Sequence, residues 1–146
     1  MLSIYFAGGW FTPEQQTDIR ATETALRKNP QVDEKGVFFP EYLQNKTYEY
    51  GTTPWANHQF NTDIEAMKRA DVIVATLTQG QEDSGTAFEI GWAYANNTPV
   101  VLVVPHSDSV NLMPAMGNTY ITTDPKKLET LNFANIPYNE WKGGLV

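Results

Sequence analysis

The stretch Asp71-Val72-Ile73-Val74-Ala75-Thr76-Leu77 decides the fold. Successive side chains of a strand point to opposite faces of its sheet. A run that is apolar at both alternations needs cover on both sides, the pattern of a strand inside a helix-sandwiched parallel sheet. Residues 99–104 read the same way. Between the two runs lies a turn-rich loop, Gln79-Gly80-Gln81-Glu82-Asp83-Ser84-Gly85, and a helix expected over about 86–96. Upstream, residues 3–6 form a first strand ending at Ala7-Gly8-Gly9, where a turn is expected. Thr12-Pro13-Glu14-Gln15 is a helix start: Thr12 as N-cap, Pro13 in the first turn, Gln15 completing a capping box. Asn29-Pro30 ends that helix. Val37-Phe38-Phe39 is a short second strand closed by Pro40, and residues 41–53 form a polar loop carrying Tyr42, Tyr48 and Tyr50. Thr53-Pro54 repeats the start signal before a helix whose apolar stripe is Ala56, Phe60, Ile64 and Met67. Residues 105–118 read as loop, 119–122 as a fifth strand, and Asp124-Pro125 as the start of a last short helix.

Alternating strands and helices predict an α/β fold, a flavodoxin-like (Rossmann-like) sandwich in one domain over residues 1–146. Its five-stranded, mostly parallel sheet is expected in the order 2-1-3-4-5. In that order the ligand crevice opens between the loops after strands one and three, which places residues 7–11 and 78–86 around one pocket.

Bulk properties narrow the function. At 146 residues the chain can bury a substantial core. The net charge of −7 argues against nucleic acid as a partner, because such a surface repels phosphate backbones. The absence of cysteine excludes thiolate catalysis and Cys-based metal sites and fits a cytoplasmic address. With only His58 and His106, no metal site is expected. No apolar run reaches the ~20 residues needed to span a bilayer, so no membrane association is expected. The opening Met1-Leu2-Ser3-Ile4-Tyr5 has no basic region and reads as strand rather than leader.

The chemistry concentrates in Glu82-Asp83-Ser84-Gly85-Thr86-Ala87-Phe88-Glu89-Ile90-Gly91. Asp83 lies in the loop and Glu89 in the first turns of the helix, flanked by Phe88 and Ile90. Glu89 is then either a solvated helix charge or a carboxylate held in a pocket. Tyr5, on the adjacent first strand, can hydrogen-bond a pocket carboxylate. Asp63 lies beside the apolar stripe of its helix. Carboxylates and a phenol meeting in one crevice are the equipment of glycosyl transfer: one carboxylate attacks the anomeric carbon and an acid assists the leaving group. Gly8-Gly9 lacks the rest of a phosphate-binding fingerprint.

Tyr5-Phe6-Ala7-Gly8-Gly9-Trp10-Phe11, Asn61-Thr62-Asp63, the Asp83–Gly91 block and Asn111-Leu112-Met113 together resemble the nucleoside 2-deoxyribosyltransferase family. They stand in family order with family-like spacing, across nearly the whole chain. The resemblance implies exchange of 2-deoxyribose between deoxynucleosides and free nucleobases, with no cofactor. It implies Glu89 as the nucleophile, Tyr5 as its orienting partner, Asp83 as a holder of the sugar hydroxyls and Asp63 as proton donor to the leaving base. It also implies Gln44 as a base contact, Trp10, Phe11 and Gly8 as pocket wall, and Asn111 and Met113 as residues completing a neighbouring site in a homo-oligomer, a hexamer built from dimers. Trp10, Trp55 and Trp92 read as exposed aromatics suited to such an interface. The family ends in an aromatic residue, whereas this chain ends Gly143-Gly144-Leu145-Val146. One rival is an N-glycosidase passing the sugar of a deoxynucleoside or deoxynucleotide to water. Ala7-Gly8-Gly9-Trp10 offers no Ser or Arg to a 5′-phosphate. A second rival is a flavodoxin-like small-ligand binding module.

Overall fold

The computed structural model describes residues 1–146. Strand β1 (Ile4–Gly8) is followed by α1 (Pro13–Arg27), β2 (Val37–Phe38), α2 (Thr53–Arg69), β3 (Val72–Thr76), α3 (Ser84–Ala95), β4 (Val100–Val103), β5 (Ser109–Val110), α4 (Leu112–Met116), β6 (Tyr120–Thr122) and β7 (Gly144–Leu145), with 3₁₀ turns at Glu34–Gly36 and Pro125–Glu129. Five strands form one sheet in the order β2-β1-β3-β4-β6, every pair parallel. Counting the strands of this sheet alone, that is the expected 2-1-3-4-5.

β3 sits at the centre, and Val72–Thr76 are all buried, as a strand covered on both faces must be. Side-chain alternation sorts the core into two layers. Ile4, Phe6, Val72 and Val74 pack with Ile19 and Leu26 of α1. Tyr5, Ala7, Ile73 and Ala75 pack with Met67 of α2 and Ile90 of α3. Tyr5 thus faces the α3 side by parity alone. The Thr12 capping box forms as expected, with Pro13 in the first turn. No helix is long and apolar enough to cross a membrane.

Several local expectations need correction. β1 runs on through Ala7 and Gly8, two residues into the expected turn. Gly8 fits there because a Cβ would meet Ile19 Cδ1 at 2.8 Å. The N-cap of α2 is Thr52 rather than Thr53, since Pro54 is tolerated at either of the first two helical positions. The stripe of α2 is rotated: Ala56 and Phe60 are exposed, Ile64 is half-buried, and the buried positions are Gln59, Ala66 and Met67. α3 begins at Ser84 with Asp83 as its cap. The 105–118 segment contains β5 and α4, and β5 pairs in parallel with β7. A two-residue strand has too few residues to reveal an alternation.

Candidate active site

A cleft of about 370 Å³ opens where the loops after β1 and β3 diverge, lined by Gly8, Trp10, Phe11, Gln44, Asp63, Asp83 and Glu89 among others. Tyr5, fully buried, extends from β1 beneath this cleft and donates a 2.6 Å hydrogen bond to Glu89 Oε1 on α3. The tyrosine ring is itself held by stacking on Phe38 of β2, centroids 5.5 Å apart. Glu89 is half-buried, and no lysine, arginine or histidine lines the cleft. Burial pushes its carboxyl up to about 8, assisted by the negative charges of Asp63 and Asp83 and opposed by the Tyr5 hydrogen bond. Burial, with Glu89 beside it, drives the Tyr5 hydroxyl far above its ordinary value, so it remains a donor.

Asp63 enters from α2. Burial raises its carboxyl to about 6, against the hydrogen bond from Gln59 Nε2, 3.0 Å from Oδ1. Asp83 caps α3: its Oδ2 accepts from the Thr86 amide and hydroxyl, both at 2.8 Å, which leaves Oδ1 uncommitted. Gln44 donates from Nε2 to the Pro40 carbonyl at 2.9 Å, fixing its amide at the cleft wall. Trp10 is half-buried and Phe11 exposed, their rings 4.9 Å apart at the rim. A buried amide, Gln15, ties the two loops at the mouth: its Oε1 accepts from Phe11 N at 2.9 Å and its Nε2 donates to Gln81 O at 2.7 Å. No group of three His, Cys, Asp or Glu side chains is placed to hold a metal ion.

Asn111 and Met113 stand apart from this cleft. Both are exposed, on the other side of α3, where they line a larger and more apolar hollow of about 680 Å³ with Tyr94, Met116 and Val146. Asn111 caps α4, its Oδ1 accepting from Met113 N at 3.0 Å. The two hollows share Asp83. Trp10, Trp55 and Trp92 are all half-buried rather than exposed; Trp10 and Trp55 line the cleft and Trp92 packs on the core.

The sequence reading missed Gln59, Asn45, Tyr50 and Trp55 as cleft residues. For Gln59 a signal existed: it precedes Asp63 by one helical turn, so the two share a face. Tyr50, from a loop whose path no periodicity predicts, and Trp55, in the first turn of α2, close the far wall with ring centroids 4.5 Å apart.

The family model for nucleoside 2-deoxyribosyltransferase matches residues 4–131. The nucleoside deoxyribosyltransferase of Lactobacillus leichmannii is 28% identical over 153 aligned positions, covering 98% of this chain and 97% of that one. That of Lactobacillus johnsonii is 29% identical, covering 94% and 98%. Among solved structures, a 2-deoxyribosyltransferase from Bacillus psychrosaccharolyticus superposes with a TM-score of 0.83 at 30% identity, over 95% of this chain and 98% of that one.

Proposed function

The chain belongs to the nucleoside 2-deoxyribosyltransferase family, a family of pentosyltransferases, and on that premise we propose that it exchanges bases on 2′-deoxynucleosides by retaining double displacement through Glu89. The observation that carries this reading is the Tyr5–Glu89 hydrogen bond inside a cleft lined by carboxylates and no cation. Tyr5 occupies Oε1, so Oε2 is the attacking oxygen. As the bond from C1′ to the base nitrogen breaks, its electron pair takes the proton of Asp63, and Glu89 Oε2 closes on C1′ to give a deoxyribosyl ester. A second base then attacks C1′ through nitrogen, its proton returns to Asp63, and the ester bond breaks. Two inversions leave the configuration unchanged. A desolvated carboxylate with no cationic partner interacts strongly with the positive charge that develops at C1′. Asp83 Oδ1 is available to the sugar hydroxyls, and Gln44 to the base.

The experiment pairs exchange with trapping. Mixed with 2′-deoxyinosine and free adenine, the protein should yield 2′-deoxyadenosine by chromatography, a purine-to-purine exchange. A slow 2′-fluoro-arabinosyl nucleoside should leave a sugar adduct on the peptide containing Glu89. An adduct on another residue, or free deoxyribose as the only product, would overturn the reading.

We further propose that residues 1–146 act as one catalytic domain whose oligomer, a hexamer, brings Asn111 and Met113 to a neighbour's cleft. Their exposure and their distance from Glu89 across α3 support this. Co-expressed Glu89→Ala and Asn111→Ala chains should regain exchange that neither variant has alone. Mixed oligomers with only the summed activity of the parents would place the whole site within one chain.

A further inference from the structure

Gln59 is a buried amide at the back of the cleft, 7% exposed, with both its polar atoms hydrogen-bonded. Its Oε1 accepts from the backbone N–H of Asn45 at 3.0 Å, and its Nε2 donates to Asp63 Oδ1 at 3.0 Å. The two bonds are not interchangeable. A backbone N–H can only donate, so the oxygen of Gln59 must face Asn45 and the nitrogen must face Asp63. Oδ1 of Asp63 is thereby fixed as an acceptor. An oxygen already accepting from an amide is the poorer place for a proton, which leaves Oδ2 to carry it. Asn45 is anchored in turn: its Oδ1 accepts from Thr47 N at 3.1 Å and Tyr48 N at 3.3 Å.

We propose that Gln59 is a positioning residue of the leaving-base step: through Asp63 Oδ1 it confines the transferable proton to Oδ2, and through Asn45 it ties that proton donor to the loop carrying Gln44 and Tyr50. The inference rests on the reading of Asp63 as proton donor. The titratable groups that face Asp63 from neighbouring elements are Glu89 of α3 and Tyr5 of β1. Glu89 and Asp63 therefore hold protons as a pair; the last proton rests mainly on Glu89, whose value is the higher, and the reactive form is the tautomer that carries it on Asp63. Gln59 stabilises ionised Asp63, so its removal strengthens the hold of the pair on its last proton while releasing that proton from Oδ2.

Gln59→Leu separates this role from a structural one. With 2′-deoxyadenosine, the maximal exchange rate should fall roughly ten- to a hundredfold, a part of the ~10²–10⁴ that a positioned acid contributes. The alkaline limb of its pH profile should move to higher pH. At pH 6, with 7-methyl-2′-deoxyguanosine, whose cationic base departs without a proton, the variant should stay within about threefold of the parent. Equal losses on both substrates with an unmoved limb would overturn the inference and make Gln59 a packing residue. Asp63→Asn is the control for the underlying reading: it too should lose deoxyadenosine exchange and spare the methylated substrate. If Asp63→Asn fails to discriminate, the proton-donor reading falls and the inference with it. If Asp63→Asn discriminates and Gln59→Leu does not, the inference alone falls.

Discussion

Glu89 and Glu23 are both largely enclosed, and both accept a hydrogen bond from a tyrosine hydroxyl: Tyr5 at 2.6 Å and Tyr42 at 2.9 Å. Their remaining surroundings are opposite. Glu23, on α1, also accepts from Arg27 Nε at 3.0 Å and Nη2 at 2.8 Å, and is paired with Arg20, which reaches on to Glu41. Burial pushes its carboxyl up, but the Arg27 and Tyr42 bonds and the charge of Arg20 outweigh that and hold it below the ordinary value. Glu89 faces two further carboxylates and no cation, and its carboxyl rises to about 8. One glutamate is neutralised by the protein, and the other has no cationic partner in its cleft, as the proposed function requires of a group that meets positive charge at C1′. A tyrosine contact is common to both sites; the missing counter-ion is what sets Glu89 apart.

The largest expected difference is in activity. Glu89→Gln keeps the shape of the cleft but should lose base exchange by about three orders of magnitude or more, since a nucleophile acts as part of a unit. Glu23→Gln should remain within a few-fold of the parent, and steady-state assays of both at equal concentration check the contrast. Comparable losses would erase it.

The tyrosines sharpen the comparison at the next scale. Tyr5→Phe leaves Oε1 of Glu89 without its donor, and kcat should fall roughly ten- to a hundredfold, in line with a hydrogen bond to a charged group at about 1.5–3 kcal/mol. Tyr42→Phe should leave kcat within about threefold and lower thermal stability instead. If Tyr5→Phe retains full activity, the orienting role assigned to Tyr5 fails.

The smallest effect is on stability, and its sign differs between the two sites. The folded-state value of Glu89 lies above its unfolded value. Its favourable contribution is therefore complete at low pH and is lost as pH rises through about 8. Glu89→Gln should thus melt higher than the parent at pH 8, by roughly 2–4 °C. The folded-state value of Glu23 is depressed, so its contribution is present above the unfolded value and lost as pH falls through the folded one. Glu23→Gln should be destabilised by roughly 1–2 kcal/mol at neutral pH, and the difference should shrink in acid. Melting curves of both variants across pH test the signs. Shifts in the same direction at pH 8 would break the distinction.

Much of this layout is legible in the sequence, and what is not has a common physical cause. β3 declares itself because burial on both faces leaves no polar alternation, and α1 because Thr12, Pro13 and Gln15 fix its start chemically. Tyr5, Asp83 and Glu89 stand out as candidates from a strand end and a loop–helix junction and Asp63 from its place beside a helix stripe, but their roles rest on the resemblance to the family. The rotated face of α2 does not follow, because Gln59 is buried by two hydrogen bonds that hydrophobic periodicity cannot see. Phe60 misleads for the converse reason: it is apolar yet exposed, with its ring 6.1 Å from that of Phe88. The Asn45–Tyr50 wall rests on loop geometry, and the β5–β7 ladder on pairing between residues 35 apart, with Ser109 matched to Gly144.

The Tyr5 hydroxyl and the Glu89 carboxylate are 84 residues apart in sequence. Every strand pairing in the central sheet is parallel, so each needs a crossover before any ladder bond forms. Such non-local contacts are entropically costly to close and slow to form. During refolding, helical content should therefore return well before the Tyr5–Glu89 pair exists, since α1 and α2 are local and that contact needs β1 docked on β3 and α3 packed over both. Recovery of base exchange then acts as a clock for completion of the sheet, and a chain that has regained its circular dichroism is not yet an enzyme.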